Sequence, residues 1–246
     1  MHQPQKRRSL RKRRGSGSMP FLVACALTLF SMAPMSLAGP GVGDRSFAAT
    51  AKAHAQFYFG VMLAGGYGVP QDPAKAAIWV RKAAEQGVAL AQNYLAVMYL
   101  VGHGVPQDRA AYIAWTRKAA ERGLALAQAR LGYAYTTGDA IAQDNRAAMG
   151  WNLKAAEQGI PAAAATIGLG YLTQTGGSVD MVRAYQWLNL ALRLAEEEIQ
   201  RDRSEIMRSN YLFIRKQCRE LESVLTPDQI RQAQALEREW RTTQGR

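Results

Sequence analysis

Between residues 53 and 195, apolar and small positions recur at helical spacing, and the whole pattern returns four times at an offset of 36 residues. Ala55, Ala91, Ala127 and Ala163 fall in one register, and Phe59, Leu95, Leu131 and Ile167 in another, with Leu63, Tyr99, Tyr135 and Tyr171 one helical turn further on. Small residues occupy the positions where helices must approach closely: Gly60, Ala96, Gly132 and Gly168 in one register, Ala83, Ala119, Ala155 and Ala191 in a second. Each copy predicts two helices. In the first, a short helix runs from Ala55 to about Ala64, and another starts after Asp72 and passes through Trp79 to stop at Gly87. A period of this length belongs to stacked units, each too small to bury its own apolar face. The predicted class is all-α.

Polar and aromatic punctuation sharpens the boundaries. Asp72, Asp108, Asp144 and Asp180 each precede a second helix, where a short acidic side chain accepts from the first free backbone N–H groups. Gly87, Gly123 and Gly159 end the second helices of the first three copies. Trp79, Trp115, Trp151 and Trp187 share a register and are expected as core aromatics with hydrogen-bonded indoles rather than ligand platforms. One acid per repeat separates the aspartates by a repeat in space, too far to act as a catalytic pair.

The second copy gathers these signals into Ala91-Gln92, Leu95, Met98-Tyr99, Gly102-His103-Gly104-Val105, Gln107-Asp108, Trp115, Lys118-Ala119-Ala120-Glu121 and Gly123. This pattern resembles the Sel1-like repeat family, relatives of the tetratricopeptide repeats. The resemblance implies a right-handed α-α solenoid of four helix-turn-helix repeats, at residues 55–90, 91–126, 127–162 and 163–195. It also implies a non-enzymatic role holding other proteins together, and an exported bacterial member. Ala140 stands where the first two copies carry Gly68 and Gly104, which leaves the third loop's conformation open. In the fourth copy Gln174 replaces the first loop glycine, Val179 the glutamine before Asp180, and Ala195 the stopping glycine, so the last helix is free to continue.

Residues 196–246 read as a helical cap. A charged helix with one apolar stripe precedes Thr226-Pro227-Asp228-Gln229, a capping box with proline at the first helical position, and a final helix reaches about Arg241. The stripe is too short for a coiled-coil arm, the alternative reading.

The amino terminus changes the meaning of the charge. The chain carries a formal net charge of +12, which by itself points to nucleic acid. Seven of its basic residues lie between Lys6 and Arg14, ahead of an apolar run from Phe21 to about Met35 and the small-residue stretch Ser36-Leu37-Ala38. That is the layout of a signal peptide, residues 1–38, followed by a linker, 39–52. Without it, 24 basic residues face 19 acidic ones, a net charge of +5, and nucleic acid is not an expected partner. An uncleaved segment of this length approaches the ~20 residues that span a bilayer, so contact with a membrane is expected only through a retained signal; Pro34 and the small residues favour cleavage. Cleavage leaves Cys218 as the lone cysteine, placed on the apolar stripe of its helix and read as a buried hydrophobe.

No catalytic constellation assembles. His54 and His103 lack ligand-spaced neighbours, so neither a metal nor a cofactor is expected, and no phosphate loop or nucleophile elbow occurs. Binding surface is instead expected on the first helix of each pair, which lines the concave side in related solenoids. Positions there that vary between copies are the candidates: Tyr58, Tyr94 and Arg130, with Thr166 in the same register; Val61, Val97, Tyr133 and Leu169 one turn on; and Gly65, Val101, Thr137 and Thr173 beyond. The expected function is an exported, periplasmic or secreted scaffold for a protein or peptide of the bacterial envelope. The competing reading is a protein that binds or processes envelope glycan, peptidoglycan or exopolysaccharide. Oligomeric state is not legible in one sequence.

Overall fold

The computed structural model describes residues 42–173, 179–201 and 205–244. The chain divides into two compact units, Met1–Arg45 and Ser46–Arg246. Of the first, only the last few residues are described, and they are helical; the expected signal peptide lies outside the described residues. The second unit is helical and forms an α-solenoid. The described helices, in chain order, are α1 (Val42–Gly65), α2 (Pro73–Glu85), α3 (Ala89–Val101), α4 (Arg109–Glu121), α5 (Ala125–Thr137), α6 (Asn145–Glu157), α7 (Pro161–Leu172), α8 (Met181–Arg201), α9 (Glu205–Glu222) and α10 (Pro227–Thr243).

One boundary differs from the expectation drawn from periodicity. Residues 42–52, read as a linker, belong to α1, which starts well ahead of Ala55. From Ser46 to Lys52 the sequence holds no glycine or proline and three alanines, a composition that propagates a helix already nucleated by the packed turns beyond it. Ala53 and Phe57 are the first buried residues of the described core.

Each repeat is locked by the same local devices. The Asp72, Asp108, Asp144 and Asp180 carboxylates accept from the backbone N–H three residues on, each at 2.9 Å. Their own N–H groups donate to the end of the preceding helix, at the carbonyls of Leu63, Tyr99, Tyr135 and Tyr171. A cap of this kind contributes about 1 kcal/mol. Gly87, Gly123 and Gly159 sit at φ near 87° (88°, 87° and 85°), a left-handed conformation that ends a helix without the penalty a Cβ would add. Ala140 adopts φ 61°, close to the 73° of Gly104, so the third loop keeps the left-handed geometry at the cost of strain in an alanine.

Packing between paired helices explains the small-residue register. A Cβ on Gly60 would lie 2.7 Å from the Val80 side chain, one on Gly132 2.6 Å from Asn152, and one on Gly168 2.8 Å from Leu188. The two helices of a pair therefore meet backbone against side chain, at positions 20 residues apart in the sequence. Successive repeats are tied by buried glutamines. Gln92 and Gln128 donate to the carbonyls of Ala84 and Ala120 at the end of the preceding helix, at 3.0 and 3.2 Å.

The carboxy-terminal end closes the stack. Helix α8 runs on past Ala195, and both α9 and α10 pack against it. Thr226 and Gln229 form a reciprocal capping box at the start of α10. The buried carboxylate of Glu237 pairs with Arg193 at 2.6 Å and accepts from Asn189 at 2.7 Å.

Candidate functional site

The first helices of the repeats, α1, α3, α5 and α7, bring the variable positions into successive rows, but the rows are not uniformly free. Tyr58 is 45% exposed and Tyr133 59% exposed, while Val101, one turn beyond Val97, is 64% exposed. Val61, Val97 and Leu169 are half-buried. Tyr94 packs edge-on to Phe57, with ring centroids 5.9 Å apart, and burial pushes its hydroxyl pKa upward. Arg130 is more deeply engaged: its Nη1 donates to Asn93 Oδ1 at 2.6 Å, and burial lowers its pKa from the usual guanidinium value. It lies beside Tyr112, whose hydroxyl pKa burial raises. Tyr94 and Arg130 thus serve contacts between repeats with at least part of their surface, and Tyr58, Val101 and Tyr133 present the large apolar area.

The repeated tryptophans require a correction. Trp79, Trp115 and Trp151 are half-buried, not enclosed, and each carries on its face the ammonium of a lysine three residues later: Lys82 at 4.6 Å, Lys118 at 4.1 Å and Lys154 at 4.6 Å from the ring centroid. Among the described residues, none of the indole N–H groups donates a hydrogen bond to another protein group. Trp187 alone is enclosed, at 6% exposed, with Trp240 of α10 set edge-on at 5.2 Å. The cause is coverage: α10 packs over the last repeat, and where the first three copies carry a lysine the fourth has Leu190, itself buried. The change from lysine to leucine at that register was the available sequence signal.

The repeated aspartates, His54 and Cys218 do not form a reactive site. The repeated aspartates are occupied as caps. His54 contacts the Thr50 carbonyl at 2.8 Å. Cys218 is buried on α9, where burial and, to a lesser extent, Glu222 push its thiol pKa up to about 12, so it stays protonated and unreactive while the cap is closed. Among the described residues no group of three or more histidine, cysteine, aspartate or glutamate side chains is placed to hold a metal ion, and no described helix is long and apolar enough to cross a membrane.

The aspartate caps recur in all four of the Sel1 repeats matched at residues 53–88, 89–124, 125–160 and 163–195, and the glycine stops and Lys-on-Trp stacks in the first three. The chain belongs to the Sel1 repeat family. Sel1 repeats are protein–protein interaction scaffolds, and the family is generally non-catalytic. The first three matched repeats begin two residues ahead of the alanine register, at the start of the buried core in the first copy. Among solved structures, the chain is similar to a Sel1 repeat protein from Oxalobacter formigenes, with 34% identity and a TM-score of 0.55 over 58% of this chain and 63% of that one. It is also similar to c5321, a protective antigen present in uropathogenic Escherichia coli strains displaying an SLR fold, with 30% identity and a TM-score of 0.45 over 78% of this chain and 46% of that one. The chain thus spans less than two thirds of the length of either protein. No curated protein matches it.

Proposed function

We propose that the protein is an exported, non-enzymatic scaffold that holds a peptide or protein of the bacterial envelope on the face formed by its first helices, the concave face of the solenoid. The observation that carries this reading is the contrast along those helices. Leu95 and Leu131 are fully buried and recur as leucine, whereas Tyr58, Val101 and Tyr133 project large apolar groups into solvent and differ from copy to copy. A fold needs the first kind of position; the second kind is free to vary and to meet a partner without disturbing the core. Export is supported by the basic, apolar and small-residue order of residues 1–38.

Affinity capture from envelope extract with the full chain, against a Tyr58→Ala, Tyr133→Ala double variant, tests the surface. Both tyrosines are exposed, so the variant keeps its fold while losing the captured partner; a capture profile identical to that of the unaltered chain would remove the assigned face. Export is checked separately by sequencing the amino terminus of the protein recovered from cells, with Gly39 expected first.

A further inference from the structure

The three junctions between successive repeats are built on the same plan, and the third lacks its filling. Between the first and second repeats, Tyr94 and Met98 of α3 occupy the space facing Ala76 of α2, and Arg81 of α2 donates to the Tyr99 hydroxyl at 2.5 Å. Between the second and third, Tyr112 of α4 and Arg130 of α5 occupy it, and Arg117 donates to the Tyr135 hydroxyl at 3.0 Å. The equivalent residues between the third and fourth repeats are Ala148, Thr166 and Gly170, and the arginine position is Leu153. Every bulky filler has been shortened at once, and Tyr171 lacks the guanidinium that its counterparts receive from the preceding helix. What results is a cavity of about 630 Å³ between α5, α6 and α7, within the usual size range of ligand sites.

The chemistry of the walls is selective. Ala148, Met149, Leu153 and Ile167 make an apolar floor. Asn152, only 2% exposed, lines the same space, and its Oδ1 is buried with no hydrogen-bond partner. Its register mates are Val80, Thr116 and Leu188; the Thr116 hydroxyl is likewise buried without a partner, but an amide stands at this register only beside the cavity. Burying an amide oxygen without a partner costs on the order of 1–3 kcal/mol, a cost removed when the side chain turns from Gly132 to pair with a guest. At the edge stands Arg146, exposed and without an ion pair among the described residues; the same register holds Ala74, Ala110 and Val182 in the other copies.

The geometry points to this cavity as a peptide-binding pocket that takes an aromatic side chain with a carboxylate beside it: the ring against Met149, Leu153 and Ile167, the peptide group against the Asn152 amide, and the carboxylate on Arg146. A peptide bond presents both a donor and an acceptor, which is what a buried primary amide matches and a hydrocarbon guest does not. The inference rests on the reading of the chain as a peptide-binding scaffold, but it names a different place from the exposed first-helix tyrosines.

The test uses the full-length protein and a blocked pentapeptide of three alanines around a central phenylalanine-aspartate pair, with two controls: alanine for the phenylalanine and asparagine for the aspartate. Binding is followed by amide shifts in two-dimensional NMR. The parent peptide is expected to bind saturably, shifting amides between Ala148 and Leu153; the alanine control loses binding, and the asparagine control weakens it about fivefold, the scale of one partly exposed ion pair. Arg146→Ala, a surface change that leaves the fold intact, abolishes the difference between the aspartate and asparagine peptides. Ala148→Tyr with Thr166→Arg restores the fillers of the second junction and weakens binding at least about tenfold, or 1.4 kcal/mol. No saturable binding up to about 10 mM, a weak-binding limit on the affinity scale, shifts mapping elsewhere, or a charge preference that survives Arg146→Ala overturns the proposal. Capture lost through Tyr58 and Tyr133 without peptide binding at this pocket places the failure here, whereas peptide binding with capture unchanged by those substitutions places it in the first-helix surface.

Discussion

The same tryptophan register has two fates in this molecule. In the first three repeats the indole lies half in water under a lysine, and in the fourth it is enclosed by Trp240, Leu190 and the helices of the cap. The repeats and the cap therefore solve burial differently. A repeat in mid-stack relies on small residues, with Gly60, Ala96, Gly132 or Gly168 letting the paired helices touch, and on buried glutamines that tie one unit to the previous one. The cap has no successor to lean on. It closes the stack with large side chains, Trp187, Leu188, Tyr185 and Trp240, and with a buried carboxylate, Glu237, bound to Arg193 and Asn189. Interior units of a solenoid share walls, and a terminal unit must provide its own.

Four substitutions break or sharpen this contrast. Trp240→Ala uncovers Trp187 and opens the cap; a large aromatic truncated in a packed cluster costs about 3 kcal/mol, measured by urea unfolding, and Cys218 becomes reactive to thiol reagents under native conditions. Gln92→Ala leaves the buried Ala84 carbonyl without its side-chain donor and lowers stability by about 1–2 kcal/mol in the same assay, with Cys218 still protected, because the damage lies in the repeats. Ala140→Gly relieves the left-handed strain of the third loop and raises the unfolding free energy by about 1 kcal/mol, the reverse sign from the first two. Lys118→Ala removes a cation from the face of a half-exposed indole and changes stability by about 0.5 kcal/mol at most, read against Trp240→Ala in parallel; an effect as large as that of Trp240→Ala would mean that the lysine closes a core rather than shading a surface.

The legible part of the fold was the part whose causes are near neighbours in sequence. The aspartate caps, the glycine stops, the close approach at Gly60, Gly132 and Gly168, the capping box at Thr226 and the apolar placement of Cys218 each depend on residues a few positions away or on a register repeated four times. The early start of α1 was not legible, because a helix without strong caps extends as far as packed turns beyond it hold it. The candidate surface was legible as a set of rows, but not as a division of labour. Nothing in the sequence sets Arg130 apart from Tyr133 as an inter-repeat contact, since that depends on Asn93 and Tyr112 arriving beside it from two other helices.

Periodicity, by itself, determined the helix pairs, their count and their stacking, because a pattern that no single unit can bury leaves one way to be satisfied. Only the tertiary structure decided which members of a repeated register are covered, and hence that Trp151 and Trp187 differ, that Arg130 is engaged, and that Ala148, Thr166 and Leu153 together leave a cavity rather than three unrelated small substitutions. Coverage is set by what lies across the interface, and residues that meet there are separated along the chain by a whole repeat.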